Sequence, residues 1–167
     1  MFENLIFVLT LASALGCGLI GGVFFAFSTI VMRALERLPA AQGIAAMQSM
    51  NIAVINPVFM TAFLGTGVAC LVLAFASFFR WQKPGAGYIL AGSLTYLVGA
   101  IMVTMLFHVP RNDALAVVHP ASAESASLWT KYVATWTAGN HLRTAAALVA
   151  AALLIVGFCR LAVDPKP

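Results

Sequence analysis

A stripe of aromatic, amide and guanidinium side chains comes before the last apolar segment of the sequence. Trp129, Tyr132, Trp136, Asn140 and Arg143 are three or four residues apart. At roughly 100° per residue they fall on one side of a helix, within a stripe about 80° wide. Such a stripe could line a pocket for a flat polycyclic molecule. Alternatively, its aromatic residues could form a belt at the membrane surface, where Trp and Tyr are enriched.

Two histidines are candidates for chemistry near this stripe. His141 follows Asn140 directly and projects roughly 100° or more from most of the stripe, so we expect it to face a neighbouring helix near His108. Either imidazole could act as a general base, and either could instead be a hydrogen-bonded structural residue. A metal site is a weak hypothesis, because the chain has no H-x-x-x-H or H-E-x-x-H spacing. We therefore expect no bound metal.

The elements that must position these residues follow from the composition. The chain has 167 residues, of which 62% are hydrophobic and 8% are charged, whereas a soluble domain has about 25% charged residues. An uncharged segment of about 20 residues can cross a bilayer as a helix. We predict one all-α domain, a transmembrane four-helix bundle, with spans at approximately 4–32, 53–79, 88–108 and 136–160.

The connections between the predicted spans differ in character. Residues 33–51 alternate charged and apolar positions, which predicts a short helix, a turn and an amphipathic helix lying over one face of the bundle. Pro57 is acceptable in the first turn of the second span. Pro110 should end the third span, because its ring disfavours helix at the preceding residue. Residues 111–129 are then a polar loop.

Glycine spacing and charge give weaker information about assembly and sidedness. Gly18 and Gly22 have G-x-x-x-G spacing, which indicates close helix packing either within the bundle or between copies in a homo-oligomer. The net charge of +4 is spread over loops, so nucleic acid is not an expected partner. Basic residues in short segments favour a multi-pass protein of the cell inner membrane with both termini in the cytoplasm. They are Arg80, Lys83, Arg160 and Lys166.

Arg143 has an unusual depth in this arrangement. Sixteen uncharged residues separate it from Arg160, which is about 24 Å of helix. One of the two arginines must therefore lie within or close to the hydrocarbon edge, and a charge at mid-bilayer costs about 2.5 to 3.5 kcal/mol. A site residue at that depth needs an internal partner. Asp113 is the natural candidate, since the end of the third span and the start of the fourth share one membrane face.

Four segments of the sequence together resemble the anthrone oxygenase-like family of small four-helix membrane proteins. The segments are GGVFFAFSTIVMRALERLPAAQGIAAMQSMN at 21–51, NPVF at 56–59, VPRNDAL at 109–115 and WTKYVATWTAGNHLRTAAAL at 129–148. The fungal members that give the family its name oxidise anthrones to anthraquinones with molecular oxygen. They are similar to small oxygenases that work without flavin or metal. The site candidates that the resemblance implies are Asn112, Trp136, Asn140, His141 and Arg143.

The candidate residues fit a cofactor-independent oxidation, which we take as a hypothesis. His141 or His108 would remove a proton from an anthrone-like or quinol substrate, and oxygen would attack the resulting anion. The groups expected to hold the developing oxygen anion by charge-assisted hydrogen bonds are Arg143, Arg111, Asn112 and Asn140. The rings expected to contact the substrate are those of Trp129, Tyr132, Trp136, Phe24 and Phe25.

The same residues also fit a membrane protein without catalytic activity. Such a protein would bind a quinone, a lipid or another hydrophobic ligand, or would act as an accessory subunit. It would use the aromatic stripe and Arg143 without requiring the histidines. In both interpretations the expected partners are the lipid bilayer and a hydrophobic aromatic or quinone-like small molecule, and no cofactor is expected.

Overall fold

Four long apolar helical segments make up most of residues 2–163, the part of the chain that the computed structural model describes. Each is long and apolar enough to cross a membrane, and we number them span 1 to span 4. Their bounds are Glu3–Glu36, Pro57–Phe79, Ala86–Ala116 and Ser125–Val163. No strand occurs between residues 2 and 163, so the predicted all-α membrane bundle is confirmed. The tail 164–167, with the Lys166 of the charge argument, lies outside the described residues.

Spans 1 and 3 contain π-helical turns, whereas spans 2 and 4 are continuous α-helices. The segments of span 1 are α1 (Phe2–Ala26), a π-helical segment (Phe27–Val31) and α2 (Met32–Glu36). The segments of span 3 are α5 (Ala86–Tyr96), two π-helical segments (Leu97–Met102 and Thr104–His108) and α6 (Val109–Ala116). Span 2 is α4 (Pro57–Phe79) and span 4 is α7 (Ser125–Val163). Helical turns of the π type are rare and frequently occur at functional sites.

The third span continues past the position where it was predicted to end. Pro110 lies in the first turn of α6. The N–H groups of a first turn have no carbonyl partner within their own helix, so a proline there removes no hydrogen bond of α6. The predicted polar loop at 111–129 is therefore wrong in extent, and only residues 117–124 are non-helical. Span 4 begins at Ser125 instead of near residue 136. The additional turns carry the first part of the aromatic stripe.

The connection between spans 1 and 2 confirms the predicted helix, turn and second helix. The second helix is α3 (Ala40–Ala53), whose Ile44 and Met47 are buried. Gln48 on α3 donates from Nε2 to the carbonyl oxygens of Leu115 at 2.9 Å and Val118 at 3.0 Å. These carbonyls lie at and just beyond the end of α6, and that of Leu115 also accepts from the N–H of Val118 at 3.1 Å. Gln48 thus ties α3 to span 3.

The glycine that brings spans 1 and 4 together is not one of those predicted. At Gly18 and Gly22, no atom of another described helix lies within 4 Å of the place where a Cβ would be. At Gly21, such a Cβ would be 2.9 Å from Cδ2 of Leu148 on α7. The intramolecular packing predicted for Gly18 and Gly22 is therefore wrong, whereas the homo-oligomer contact stays a prediction.

Candidate functional site

Polar side chains from three spans meet inside the bundle at the level of the π-helical turns. We call this set the polar cluster: Ser28, Thr104, His108, Asn112, Tyr132, Trp136, Asn140 and Arg143. Ser28 lies in the π-helical segment of span 1, and Thr104 and His108 lie in the last one of span 3. The predicted stripe of span 4 faces inward over its whole length, because each of its five residues is at most 8% exposed.

Asn140 links span 1 to the guanidinium of span 4. Its Nδ2 donates to the carbonyl oxygen of Phe24 and to the hydroxyl of Ser28, both at 2.6 Å. Its Oδ1 accepts from Nη2 of Arg143 at 2.6 Å. Asn140 has no exposed surface, so its amide depends on these partners. The amide therefore fixes the guanidinium of Arg143 against span 1.

Arg143 is a buried cation that no carboxylate balances in the described part of the chain. Its Nη1 donates to Oγ1 of Thr104 at 3.1 Å, and its Nε has no partner from residues 2–163. The guanidinium carbon lies 4.2 Å from the ring centroid of Phe24 and 5.3 Å from that of Trp136, which are cation–π contacts. The predicted Asp113 partner is wrong, because Asp113 is exposed on α6. Arg143 therefore retains a positive charge and one free donor in the interior.

His108 is buried between two backbone carbonyl oxygens. Its Nε2 lies 3.3 Å from the oxygen of Trp136, and its Nδ1 lies 3.4 Å from the oxygen of Val103. A neutral imidazole has one N–H and can donate to only one of them. If the ring takes a second proton, both nitrogens are donors, and each ring nitrogen of His108 lies beside one backbone carbonyl oxygen.

Asn112 joins α6 to α7 through two aromatic donors. Its Oδ1 accepts from the hydroxyl of Tyr132 at 2.8 Å and from Nε1 of Trp136 at 3.0 Å. The ring of Trp129 stacks on that of Tyr132 with centroids 5.8 Å apart, and the ring of Phe27 contacts Trp136 at 6.0 Å. These rings fill the space beside the cluster and close it on the side of α3.

Five predicted site residues are not members of the polar cluster. Phe24 and Trp129 contact it through Arg143 and Tyr132, whereas the other three have no hydrogen bond or ring contact with it among residues 2–163. His141 is exposed, and within the range that the structure describes it has no hydrogen bond or ring contact. Phe25 is 54% exposed, whereas Phe24 is buried. The inward placement expected for His141 and Phe25 is therefore wrong, because neighbouring residues on a helix point about 100° apart. Arg111 is half-buried and donates from Nη1 to the carbonyl oxygen of Phe107 at 2.7 Å.

A groove of about 370 Å³ opens on the outer surface between spans 3 and 4, next to the polar cluster. Phe107 and Gly139 line it together with the apolar side chains of span 3 and Leu142. A Cβ at Gly139 would lie 2.7 Å from Cδ1 of Phe107 and 2.9 Å from Cε1 of His108. Glycine at this position thus lets the imidazole of His108 come up to the wall of the groove.

Two members of the cluster and the groove itself were not found by sequence reasoning as site features. Thr104 is an isolated hydroxyl in an apolar segment, and Ser28 received no role. Threonine and serine often bond the carbonyl one turn earlier in a membrane helix, so neither residue type alone indicates a site. Among residues 2–163, no three His, Cys, Asp or Glu side chains are grouped closely enough to hold a metal ion.

A profile of the anthrone oxygenase family matches residues 59–153, which is more than half of the chain. The chain belongs to the anthrone oxygenase family. The assignment that the sequence motifs indicated is confirmed, although the match does not include the motif at 21–51. It does include His108, Asn112 and the stripe of span 4. No curated protein and no solved structure shows significant similarity to the chain.

Proposed function

We propose that this member of the anthrone oxygenase family oxidises a flat, lipid-soluble phenol or anthrone at the polar cluster. The observation that carries the proposal is the buried guanidinium of Arg143, which no carboxylate balances in the described part of the chain. A cation in an apolar interior binds an anion more strongly than a neutral ligand. Oxidation of an anthrone passes through such an anion, so Arg143 favours the reacting form over the substrate.

The groove between spans 3 and 4 gives a lipid-soluble substrate a route to the cluster. Its lining is apolar, so a flat ring system can enter it directly from the bilayer. The ring of Phe107 and the backbone at Gly139 form the wall between the groove and His108. Phe107 is half-buried, and rotation of its ring away from Gly139 admits the substrate to the imidazole.

The proposed reaction uses His108 as the base, in place of His141. The ring of His108 turns one nitrogen from its carbonyl oxygen to the substrate and removes a proton from the methylene carbon of the anthrone, while the other nitrogen keeps its carbonyl partner. The Nε–H of Arg143 donates to the oxygen anion of the substrate. Dioxygen then adds to the carbanion carbon, the peroxide anion takes back the proton held by His108, and loss of water from the hydroperoxide completes the quinone. One anthrone and one dioxygen give one anthraquinone and one water.

Oxygen consumption by the purified protein in lipid nanodiscs tests this proposal. With anthrone as substrate, the wild type should exceed the rate of protein-free nanodiscs. His108→Ala should lower the protein-dependent rate by about 100-fold, because a general base contributes about 10² to 10⁴ in rate. His141→Ala is the matched control and should retain the wild-type rate, because that imidazole is exposed.

Binding measurements on the same samples separate an enzyme from a ligand-binding protein. Quenching of the tryptophan fluorescence by an anthraquinone should be similar for the wild type and His108→Ala. If the wild type binds the ring system but consumes oxygen no faster than empty nanodiscs, catalysis is rejected and the non-catalytic alternative holds. If His141→Ala loses the activity and His108→Ala retains it, the assignment of the base is wrong.

A further inference from the structure

The ring of Phe107 closes the groove between spans 3 and 4 on the side of the polar cluster. It lines the groove together with Gly139, and it lies in the last π-helical segment of span 3, directly before His108. The centroids of the Phe107 and His108 rings are 5.2 Å apart. Because His108 is only 1% exposed, part of this wall must move before a molecule in the groove can reach the imidazole.

Of the two groups that form the wall, the ring is the one that can move. A Cβ at Gly139 would lie 2.9 Å from Cε1 of His108, so the backbone of α7 lies against the imidazole here. Cε1 is bonded to both ring nitrogens, and the edge that carries them therefore lies beside Gly139. The backbone of a continuous helix cannot step aside, whereas the half-buried side chain of Phe107 can change its rotamer. The position of one ring thus decides whether a ligand meets the nitrogens of His108.

Arg111 holds this ring in two ways. Its guanidinium carbon lies 3.4 Å from the centroid of the Phe107 ring, which is a cation–π contact. Its Nη1 donates to the carbonyl oxygen of Phe107 at 2.7 Å, which ties the guanidinium to the backbone that carries the ring. No carboxylate pairs with Arg111 among residues 2–163. Turning the ring away from Gly139 therefore separates it from the cation on its face.

Contacts between side chains one turn apart on a helix are common, and by themselves they only support the helix. This contact differs in its place, since the ring that the cation covers is also the movable wall of the groove. A second difference is the group behind the wall, because His108 is the one buried imidazole in the described part of the chain. A restraint on the ring is therefore a restraint on access to that imidazole.

We propose that Arg111 is a positioning residue that latches the Phe107 ring over His108 and so controls which molecules pass from the bilayer to the polar cluster. The structure is the closed state. In the open state the ring leaves Gly139, and a flat molecule in the groove takes its place beside the imidazole. This role rests on the proposed function, because that function assigns His108 as the base. It replaces the expectation that Arg111 holds the oxygen anion of the substrate.

Modification of His108 by diethyl pyrocarbonate tests the latch without turnover. This small reagent transfers an ethoxycarbonyl group to a neutral imidazole nitrogen. The proteins in nanodiscs are treated for increasing times, digested and analysed by mass spectrometry. The rate at His108 divided by the rate at the exposed His141 of the same sample is the modification ratio. Arg111→Met removes the cation from the ring and should raise this ratio about fivefold, which is the effect expected for one cation–π contact.

Three further variants determine whether the modification ratio reports the latch. Phe107→Ala removes the ring and should raise the ratio more than Arg111→Met does. Arg111→Lys keeps a cation that can lie over the ring, so its ratio should fall between those of the wild type and Arg111→Met. Arg33→Met removes an exposed arginine of α2 and, as the matched control, should keep the wild-type ratio. A wild-type ratio in Arg111→Met or in Phe107→Ala would overturn the proposal, as would equal increases in both Arg111 variants.

Oxygen consumption by the same variants distinguishes a failure of the latch from a failure of the proposed function. Arg111→Met should raise kcat/KM for anthrone, because the apparent affinity of a site rises with the fraction of molecules that are open. If the modification ratios follow the expectation but no variant consumes oxygen, the latch stands and the proposed function is rejected. If Arg111→Met instead lowers kcat by about 100-fold at an unchanged modification ratio, Arg111 binds the anion and the latch is wrong.

Discussion

Spans 3 and 4 approach each other differently at their two ends. At the end of the bundle where span 3 begins and span 4 ends, the two backbones are in direct contact. A Cβ at Gly85 would lie 2.6 Å from the carbonyl oxygen of Gly157. A Cβ at Gly92 would lie 3.0 Å from the carbonyl oxygen of Ala150. At the opposite end, the same two spans are joined through the side chain of Arg143, which reaches Thr104 at 3.1 Å.

This difference separates a fixed end of the bundle from an end that can exchange its contacts. Backbone contacts through glycine leave no space for a ligand and no side chain that could move. Hydrogen bonds between Asn140, Arg143 and Thr104 can instead be replaced by bonds to a substrate. The π-helical turns lie at that end in span 1 and extend along span 3 to it. The following variants should affect the two ends in different ways.

The largest effect is expected for Asn140→Ala in the polar cluster. The change removes the acceptor of Arg143 Nη2 and the donor to Phe24 and Ser28. Because one of these groups is a buried cation, the free energy of unfolding should fall by about 3 kcal/mol. It can be measured by titration with sodium dodecyl sulfate in mixed micelles. Gln82→Ala removes an exposed amide in the loop at the other end and should change stability by less than about 0.5 kcal/mol.

A cost for Asn140→Ala no greater than that of Gln82→Ala would show that the polar cluster does not hold the bundle together. In that case the contrast between the two ends would lose its energetic basis. A large cost that disappears when a quinone is bound would sharpen the contrast, because it would show that a ligand can replace the amide.

A somewhat smaller effect is expected at the fixed end for Gly85→Ala. Gly85 has φ 81°, and a left-handed backbone costs a residue with a Cβ about 1 to 2 kcal/mol. The added methyl group would also press on the carbonyl oxygen of Gly157. We expect a loss of about 2 kcal/mol in the free energy of unfolding, which is the order of other backbone-strain effects. Oxygen consumption per folded molecule should not change, because the polar cluster is remote.

Gly87→Ala is the matched control for that variant. Gly87 lies in α5, and a Cβ there would make only ordinary contacts with Trp81, the nearest at 3.7 Å. Alanine favours a helix over glycine by up to about 1 kcal/mol, so this change should be neutral or slightly stabilising. Equal losses for both alanine variants would contradict the special geometry of Gly85.

The sequence was sufficient for the number of spans and for the inward stripe of α7. The lengths of the uncharged segments alone predict four membrane spans. The spacing from Trp129 to Arg143 shows which residues share one side of α7, without any information about the neighbouring helices. The direction of His141 could not be predicted in this way, because it depends on which sides of α7 the other spans cover. Asp113 was expected to bind Arg143 because the end of the third span and the start of the fourth share one membrane face, whereas the guanidinium binds Asn140, one turn earlier on α7, and Thr104 of span 3.

The π-helical turns were invisible in the sequence for a different reason. Each turn adds a residue without requiring a special residue type, and the apolar residues 97–102 would equally suit an α-helix. The additional residue of a π-helical turn rotates the side chains that follow it about the helix axis, and this rotation places Thr104 and His108 toward the interior. It also lets Pro110 follow within a continuing span, where proline rules predicted an end. Small rotations of a helix about its axis therefore determine which residues form the site, whereas they do not change the number of spans.

The smallest effect, and the most local test of the exchangeable end, concerns the hydroxyl of Tyr132. Tyr132→Phe removes one bond to Oδ1 of Asn112 but leaves that oxygen its second donor, Nε1 of Trp136. The free energy of unfolding should fall by about 1 kcal/mol. Tyr88→Phe, at a 44% exposed position on α5, should cost less than about 0.5 kcal/mol.

The Tyr132→Phe change should also be made in an Asn112→Ala background. There the hydroxyl has already lost its acceptor, so removing it should cost about 1 kcal/mol less than in the wild type. This difference isolates the bond between α6 and α7 from the packing of the ring, which phenylalanine retains. An equal cost in both backgrounds would mean that Asn112 does not bind Tyr132. The closed side of the polar cluster would then be held by ring stacking and by the bond from Nε1 of Trp136 to Asn112, the one polar bond there that a substrate could replace.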